Sequence, residues 1–164
     1  MSDAFQVRPA CASDVHGIAA LVNGYAAQAV MLPRSVESIA LALDDFVVAA
    51  DCNGRVVACG ALRQYSPSLA EVASVAVSPE VHGHGVGRAI VSAVERLARI
   101  RGVEEIFALT LTPGFFEAVG YGVDDRARYP EKLWRDCAMC ARRSACKEVC
   151  VSRTLVAGVI DAAA

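Results

Sequence analysis

The segment "SPEVHGHGVGRA" sets three glycines, Gly83, Gly85 and Gly87, in alternation with His82, His84 and Val86. A helical pattern begins directly behind it. Glycines at a helix start cost backbone entropy, so something should offset that cost. Two chemistries fit these residue types. Unpaired N–H groups at a helix start can hold an anion, and glycines let a phosphate come close to them. Alternatively, His82 and His84 could ligate a metal, although an i, i+2 pair is not by itself a recognisable ligand set. A plain strand–helix loop is the third reading. The segment is not a P-loop, because no Gly-Lys-Ser/Thr follows, and Pro79 and the alternate spacing depart from a dinucleotide fingerprint. A second group is rich in sulfur. Cys137 and Cys140 have the two-residue gap of half a zinc site, which Cys146 and Cys150 could complete. The other readings are reduced thiols packed near a loop, or a redox-sensitive loop beside Arg143.

The elements around these groups follow from periodicity. "FQVRPA" is a strand. A helix runs through "VHGIAALVNGYAAQ", with Ser13 or Asp14 as its cap. "MLPRS" is a loop, and "SVESIALAL" a short helix capped by Ser35. "FVVAAD" and "RVVACGALRQY" flank Asn53-Gly54, a strong hairpin signal. "LAEVASVAVSP" is a central strand that leads to the glycines. The long helix covers Gly85 to Arg101, with Val86, Ile90, Val94 and Leu97 on one face. "EEIFALTL" is a buried strand, "PGFFEAVG" a short helix between Pro113 and Gly120, and "CKEVCVSRTL" a last strand. The order predicts an α/β layered fold with a mixed sheet. One domain is expected over residues 1–155, with 156–164 as a tail.

Composition excludes several classes. The 164 residues are 55% hydrophobic and 21% charged, so the chain should fold around one core. A net charge of −2 argues against a nucleic-acid binder that relies on a basic field. No apolar run reaches the roughly 18 residues of a membrane span, and no signal peptide is visible. Seven cysteines are an odd number for a disulfide framework and suit reduced thiols. A cytoplasmic location is expected, without nucleic-acid or membrane partners.

"SVAVSPEVHGHGVGRAIV" resembles the acyl-CoA-binding segment of the GCN5-related N-acetyltransferases. That pattern, Arg/Gln-x-x-Gly-x-Gly/Ala, falls on His82, Gly83, His84, Gly85, Val86 and Gly87, followed by Arg88. His82 stands where Arg or Gln is usual. "EEIFALTLTPGFFEAVGYG" is similar to the family's next strand, short helix and Phe-Phe-x-x-x-Gly-Tyr/Phe end, which brings Phe116 to the cofactor. The resemblance implies a mostly antiparallel central sheet with helices on both faces, acetyl-CoA as co-substrate, no metal in catalysis, and a homodimer.

Within the family, "MLPRS", "ACGALRQYSPSLAEVASVAVSPE", "FALTLTPGFF" and "YPEKLWRDCAMCARRSACKE" look like the short, single-domain N-acetylglutamate synthases. This implies acetylation of the α-amino group of glutamate, the first step of arginine synthesis. It also implies that Arg34, Arg63 and Arg143 hold substrate carboxylates, with Arg142 as the alternative to Arg143. Guanidinium groups suit that task because they bind carboxylates bidentately. Glutamine or aspartate as acceptor stays open, as do another amine, a protein N-terminus, and an acyl-CoA-sensing module without turnover. Amide formation needs a neutral nitrogen. Glu71 resembles the acidic position used in parts of the superfamily, and it is the expected proton acceptor, through water; the alternative is an exposed strand-end carboxylate. The N–H of Ala76 or Val77 is expected to polarise the thioester carbonyl. Many family members carry a tyrosine general acid in the short helix. Here Phe115 and Phe116 stand there, leaving Tyr121 and Tyr129 as substitutes.

Overall fold

The computed structural model describes residues 5–155; the expected tail, 156–164, lies outside them. The described residues form a seven-stranded sheet of order β1-β2-β3-β4-β5-β7-β6. Its strands are β1 (Phe5–Pro9), β2 (Phe46–Asp51), β3 (Val56–Gln64), β4 (Leu69–Val77), β5 (Glu105–Thr110), β6 (Gly122–Val123) and β7 (Val149–Thr154). Every pairing is antiparallel except β4 with β5. Strand alternation divides the core into two layers. Phe46 and Val48 pack with α1 (Val15–Ala27) and α2 (Val36–Leu41) on one face. Val47 and Ala49 pack with α3 (Val86–Ile100) and α4 (Pro113–Ala118) on the other. Helix α3 sits hard against β3 because Gly60 has no side chain: a Cβ there would lie 2.6 Å from Ile90 Cγ2.

Ser35 caps α2 as expected, accepting the Ser38 N–H at 3.1 Å. Neither Ser13 nor Asp14 caps α1 with its side chain. The Asp14 carboxylate is instead clasped by Arg8 at 2.7 and 3.0 Å and by the Cys11 N–H at 2.8 Å. The last strand starts at Val149 rather than Cys146; turns and a 3₁₀ turn at Arg143–Ala145 precede it, and residues 146–148 run on irregularly to the strand. A short helix, α5 (Pro130–Lys132), runs on into π-helical bonding over Leu133–Cys137. Neither that segment nor β6 was marked by periodicity.

The feature that creates the site is a parting of strands. β4 and β5 are in register only from Leu69–Glu71 against Glu105–Phe107. Beyond that point β5 continues to Thr110 against β7. β4 stays with β3 but carries a bulge, with a register shift between Cys59 and Ala61 and a left-handed Ser74 at φ 52°. Bulges bend and twist a strand locally. The two C-terminal ends therefore separate and leave a cleft through the middle of the sheet.

Candidate active site

A cavity of about 710 Å³ fills the parting. Val72 to Val75 of β4, Leu109 and Thr110 of β5, and Phe115 and Phe116 of α4 line it. The "LPRS" loop and the segment from Lys132 to Glu148 also border it. Arg34, Arg63, Arg142 and Arg143 are all on this lining, so the four arginines singled out for the substrate carboxylates meet at one cavity.

Their situations differ. The Arg34 loop is fastened to α1 by Asn23, which donates to the Arg34 C=O at 2.7 Å and accepts its N–H at 3.0 Å. The guanidinium reaches Ser38 at 3.3 and 3.4 Å and lies over the Phe46 ring. Among the described residues it has no carboxylate partner. Burial, and then the nearby Arg63, hold its pKa below the ordinary arginine value. Arg63 bonds Asp136 at 2.5 Å. Arg143 is exposed and donates to the Ala138 C=O at 3.0 Å, while Arg142 donates to the Ala29 C=O.

Glu71 is not an exposed strand-end carboxylate. It is 3% exposed and lines the cavity. One oxygen meets Lys132 Nζ at 2.8 Å, and the other accepts the Tyr65 hydroxyl at 2.8 Å. Lys132 also meets Asp136 at 2.6 Å. Burial works against the charge on Asp136, but Lys132 and Arg63 outweigh it and hold its pKa below the usual carboxylate range. Sequence reasoning missed Lys132, Asp136 and Tyr65. The one local signal was the Lys132-x3-Asp136 spacing, which puts two opposite charges on one helical face.

The glycine turn lies beside the cavity rather than on its lining. Gly83 and Gly85 both have φ of 78°, with open space where a side chain would stand. Gly85 is the residue before α3, whose first N–H groups receive no side-chain cap. Gly87 plays a different part: a Cβ there would lie 3.3 Å from the Phe115 ring, so it lets α3 pack against the cavity wall. His82 is engaged elsewhere, its Nε2 lying 3.0 Å from the Val77 carbonyl and 3.2 Å from the Tyr25 hydroxyl. His84 Nδ1 lies 2.9 Å from the His82 carbonyl, so the two histidines do not converge on one point. Arg88 is exposed on the first turn of α3, whereas Val86 is buried in the core.

Of the two N–H groups considered for the carbonyl, that of Ala76 faces β3, where Ala76 is the register partner of Cys59. Ser78 donates to the Val57 carbonyl on β3 at 2.8 Å. Strand alternation then leaves the Val77 N–H on the opposite edge, toward the cleft. The tyrosine substitutes fail on position. Tyr121 is buried against Phe116 in the α3–α4 layer, its hydroxyl without a partner among the described residues. Tyr129 stacks on Phe107 at 4.0 Å and donates to Glu105 at 2.7 Å. Neither lines the cavity. The four cysteines do not assemble either. Cys137, Cys140 and Cys146 border the cavity, but Cys150 is buried in a cluster with Phe107 and Tyr129, and burial pushes its thiol up to about 11. Among the described residues no three His, Cys, Asp or Glu side chains are placed to hold a metal ion.

A parted sheet with a glycine-started helix beside the gap matches known proteins. Residues 23–121 match the model of the acetyltransferase (GNAT) family, and the chain belongs to that family. It is an N-acetyltransferase. It is 42% identical to an uncharacterised N-acetyltransferase of Chlorobaculum tepidum over 149 residues, which is 91% of this chain and 96% of that one. It is 38% identical to the amino-acid acetyltransferase of Mycobacterium tuberculosis, covering 70% of this chain and 67% of that one. Its fold superposes with a TM-score of 0.82 and 25% identity on N-acetylglutamate synthase from Neisseria gonorrhoeae complexed with coenzyme A and N-acetyl-glutamate. That match covers 95% of this chain and 36% of the Neisseria one. No helix among the described residues is long and apolar enough to cross a membrane.

Proposed function

We propose that this acetyltransferase moves the acetyl group of acetyl-CoA to the α-amino group of L-glutamate, the reaction that would serve arginine synthesis. The observation that carries the reading is Arg34: a half-buried guanidinium on the cavity wall with no carboxylate of its own among the described residues. A cation held in that state gains from an incoming anion. Arg63 and Arg143 on the same wall offer a second carboxylate site, which suits a dicarboxylic acceptor. A polyamine would meet like charge instead. The Mycobacterium and Neisseria relatives support an amino acid as acceptor.

In this reading the uncapped start of α3, behind Gly83 and Gly85, holds the pyrophosphate through N–H groups. The thioester lies in the parting of β4 and β5, walled by Phe115 and Phe116. Its carbonyl accepts the Val77 N–H, which takes up charge as the tetrahedral intermediate forms. The acceptor ammonium gives its proton to Glu71, through water. The nitrogen lone pair then forms the C–N bond, the C–S bond breaks with its electrons on sulfur, and the second amine proton passes through water to the departing thiolate. A thiolate whose conjugate thiol has a pKa of ~8.5 can depart without a general acid and take its proton from water afterwards, which fits two phenylalanines at the head of the cleft. A homodimer belongs to the same proposal.

The test is thiol release from acetyl-CoA with glutamate, glutamine, aspartate, lysine and spermidine, with products weighed by mass spectrometry. Glutamate should give the highest kcat/KM and N-acetylglutamate as product. Preference for a neutral or cationic amine would sink the reading.

A further inference from the structure

Four side chains form one chain of alternating charge. Asp136 Oδ2 takes both Arg63 Nη1 at 2.5 Å and Lys132 Nζ at 2.6 Å. Lys132 Nζ also lies 2.8 Å from Glu71 Oε1. The ends of the chain, Arg63 and Glu71, are register partners across β3 and β4, so the chain closes through the sheet. Its middle pair comes from one helical segment. Lys132 is the buried link, with a side chain only 10% exposed. Burial alone would lower its pKa, but Glu71 and Asp136 reverse the effect and keep the ammonium charged. A buried cation shared by two carboxylates divides its field between them. Whatever alters the demand of Asp136 alters what Lys132 supplies to Glu71.

We propose that Lys132 and Asp136 are positioning residues that tie the proton acceptor Glu71 to the acceptor-binding Arg63. The inference rests on the reading of an acidic acceptor. In the empty site Asp136 neutralises Arg63. A substrate carboxylate arriving at Arg63 takes over that role. Asp136 then leans on Lys132 alone, the hold of Lys132 on Glu71 relaxes, and Glu71 becomes the stronger base. Proton removal is thereby switched on by the carboxylate of the right acceptor. The step makes and breaks no covalent bond; it redistributes hydrogen bonds among groups already in contact. The other titratable and charged groups facing Glu71 are Tyr65 beyond the end of β3, Arg63 on β3, and Glu148 just before β7.

The experiment compares the pH dependence of kcat/KM in wild type, Lys132→Met, Asp136→Asn and Lys132→Arg. Loss of Lys132 removes a cation from Glu71, so the acid limb should move to higher pH by about one unit or more. Asp136→Asn leaves Lys132 to Glu71 alone, so its limb should move to lower pH. Lys132→Arg keeps the charge and should hold the limb near wild type. A merely structural role would lower kcat or stability in both variants and leave the limbs in place. Limbs that stay put, or move the same way in Lys132→Met and Asp136→Asn, overturn the proposal. A wild-type enzyme that acetylates no acidic amino acid breaks the acceptor reading instead. The Lys132–Glu71 link is then read without turnover, by ¹³C NMR titration of the Glu71 carboxyl carbon. Its midpoint must rise in Lys132→Met, and an unmoved midpoint overturns the link.

Discussion

Arg63 and Glu71 face each other across β3 and β4, yet each is bonded to the same distant segment, Arg63 to Asp136 and Glu71 to Lys132. A guanidinium and a carboxylate on neighbouring strands would ordinarily neutralise each other. Here the Lys132–Asp136 pair is interposed, and both strand residues stay on the wall of one cavity. The segment after Tyr129 thus completes a site that the sheet only begins.

Replacing the two acceptor-side guanidiniums should separate acceptor from cofactor. Arg34→Ala should lower kcat/KM for glutamate by about 2–3 kcal/mol, the usual worth of a charge-assisted hydrogen bond. Arg63→Ala should cost a similar amount and also free Asp136. Acetyl-CoA affinity, read by calorimetry, should hold in both. A loss of acetyl-CoA binding with intact glutamate kinetics reverses the assignment.

The glycines of the turn should respond according to position. Gly85→Val puts a side chain at φ 78° and over the start of α3. Acetyl-CoA affinity should fall about ten- to a hundredfold, as expected when one or more charge-assisted N–H bonds are lost. Gly87→Val meets the Phe115 ring and the Val77 side chain instead, so its first effect should be a lower melting temperature. Unchanged acetyl-CoA affinity in folded Gly85→Val would remove the turn from the cofactor site.

For Glu71→Gln, turnover should fall about 100-fold while both substrates still bind, the ordinary contribution of a positioned base. Raising the pH should restore part of the rate, because free amine then forms without the base. A kcat profile identical to wild type would take Glu71 out of the mechanism. Altered KM alone would leave it only the task of holding Lys132.

Stability should depend on Asp14 at acid pH. Hydrogen bonds from Arg8 lower the Asp14 pKa to about 2 from 3.8. A carboxylate with a depressed folded-state pKa stabilises the fold above its unfolded pKa, and that contribution is lost as pH falls through about 2. Asp14→Asn should therefore cost about 1–2 kcal/mol at neutral pH, discounted because Arg8 is partly exposed. The cost should vanish toward pH ~2. Urea melts of both proteins across that range check it; a cost that stays constant with pH would mean packing, not charge.

Much of the molecule was legible along the chain. Strand alternation, the Asn53-Gly54 turn and the glycines before α3 are local signals, because backbone preference and side-chain periodicity act over a few residues. The arginines of the cavity were marked by resemblance and lie together in the fold. Tertiary structure decided the rest. The parting of β4 and β5 depends on a bulge at Ser74 and on how far two strands pair, which no single strand encodes. Tyr121 and Tyr129 stood as weak substitutes for a missing proton donor, and packing against Phe116 and Phe107 took both away. Cys150 kept zinc-like spacing but turned into the core with its strand. Lys132 was marked by nothing local except its four-residue spacing from Asp136. Its burial between Glu71 and Asp136 is a matter of which distant surfaces meet, and the charge it keeps there comes from partners that only the fold supplies.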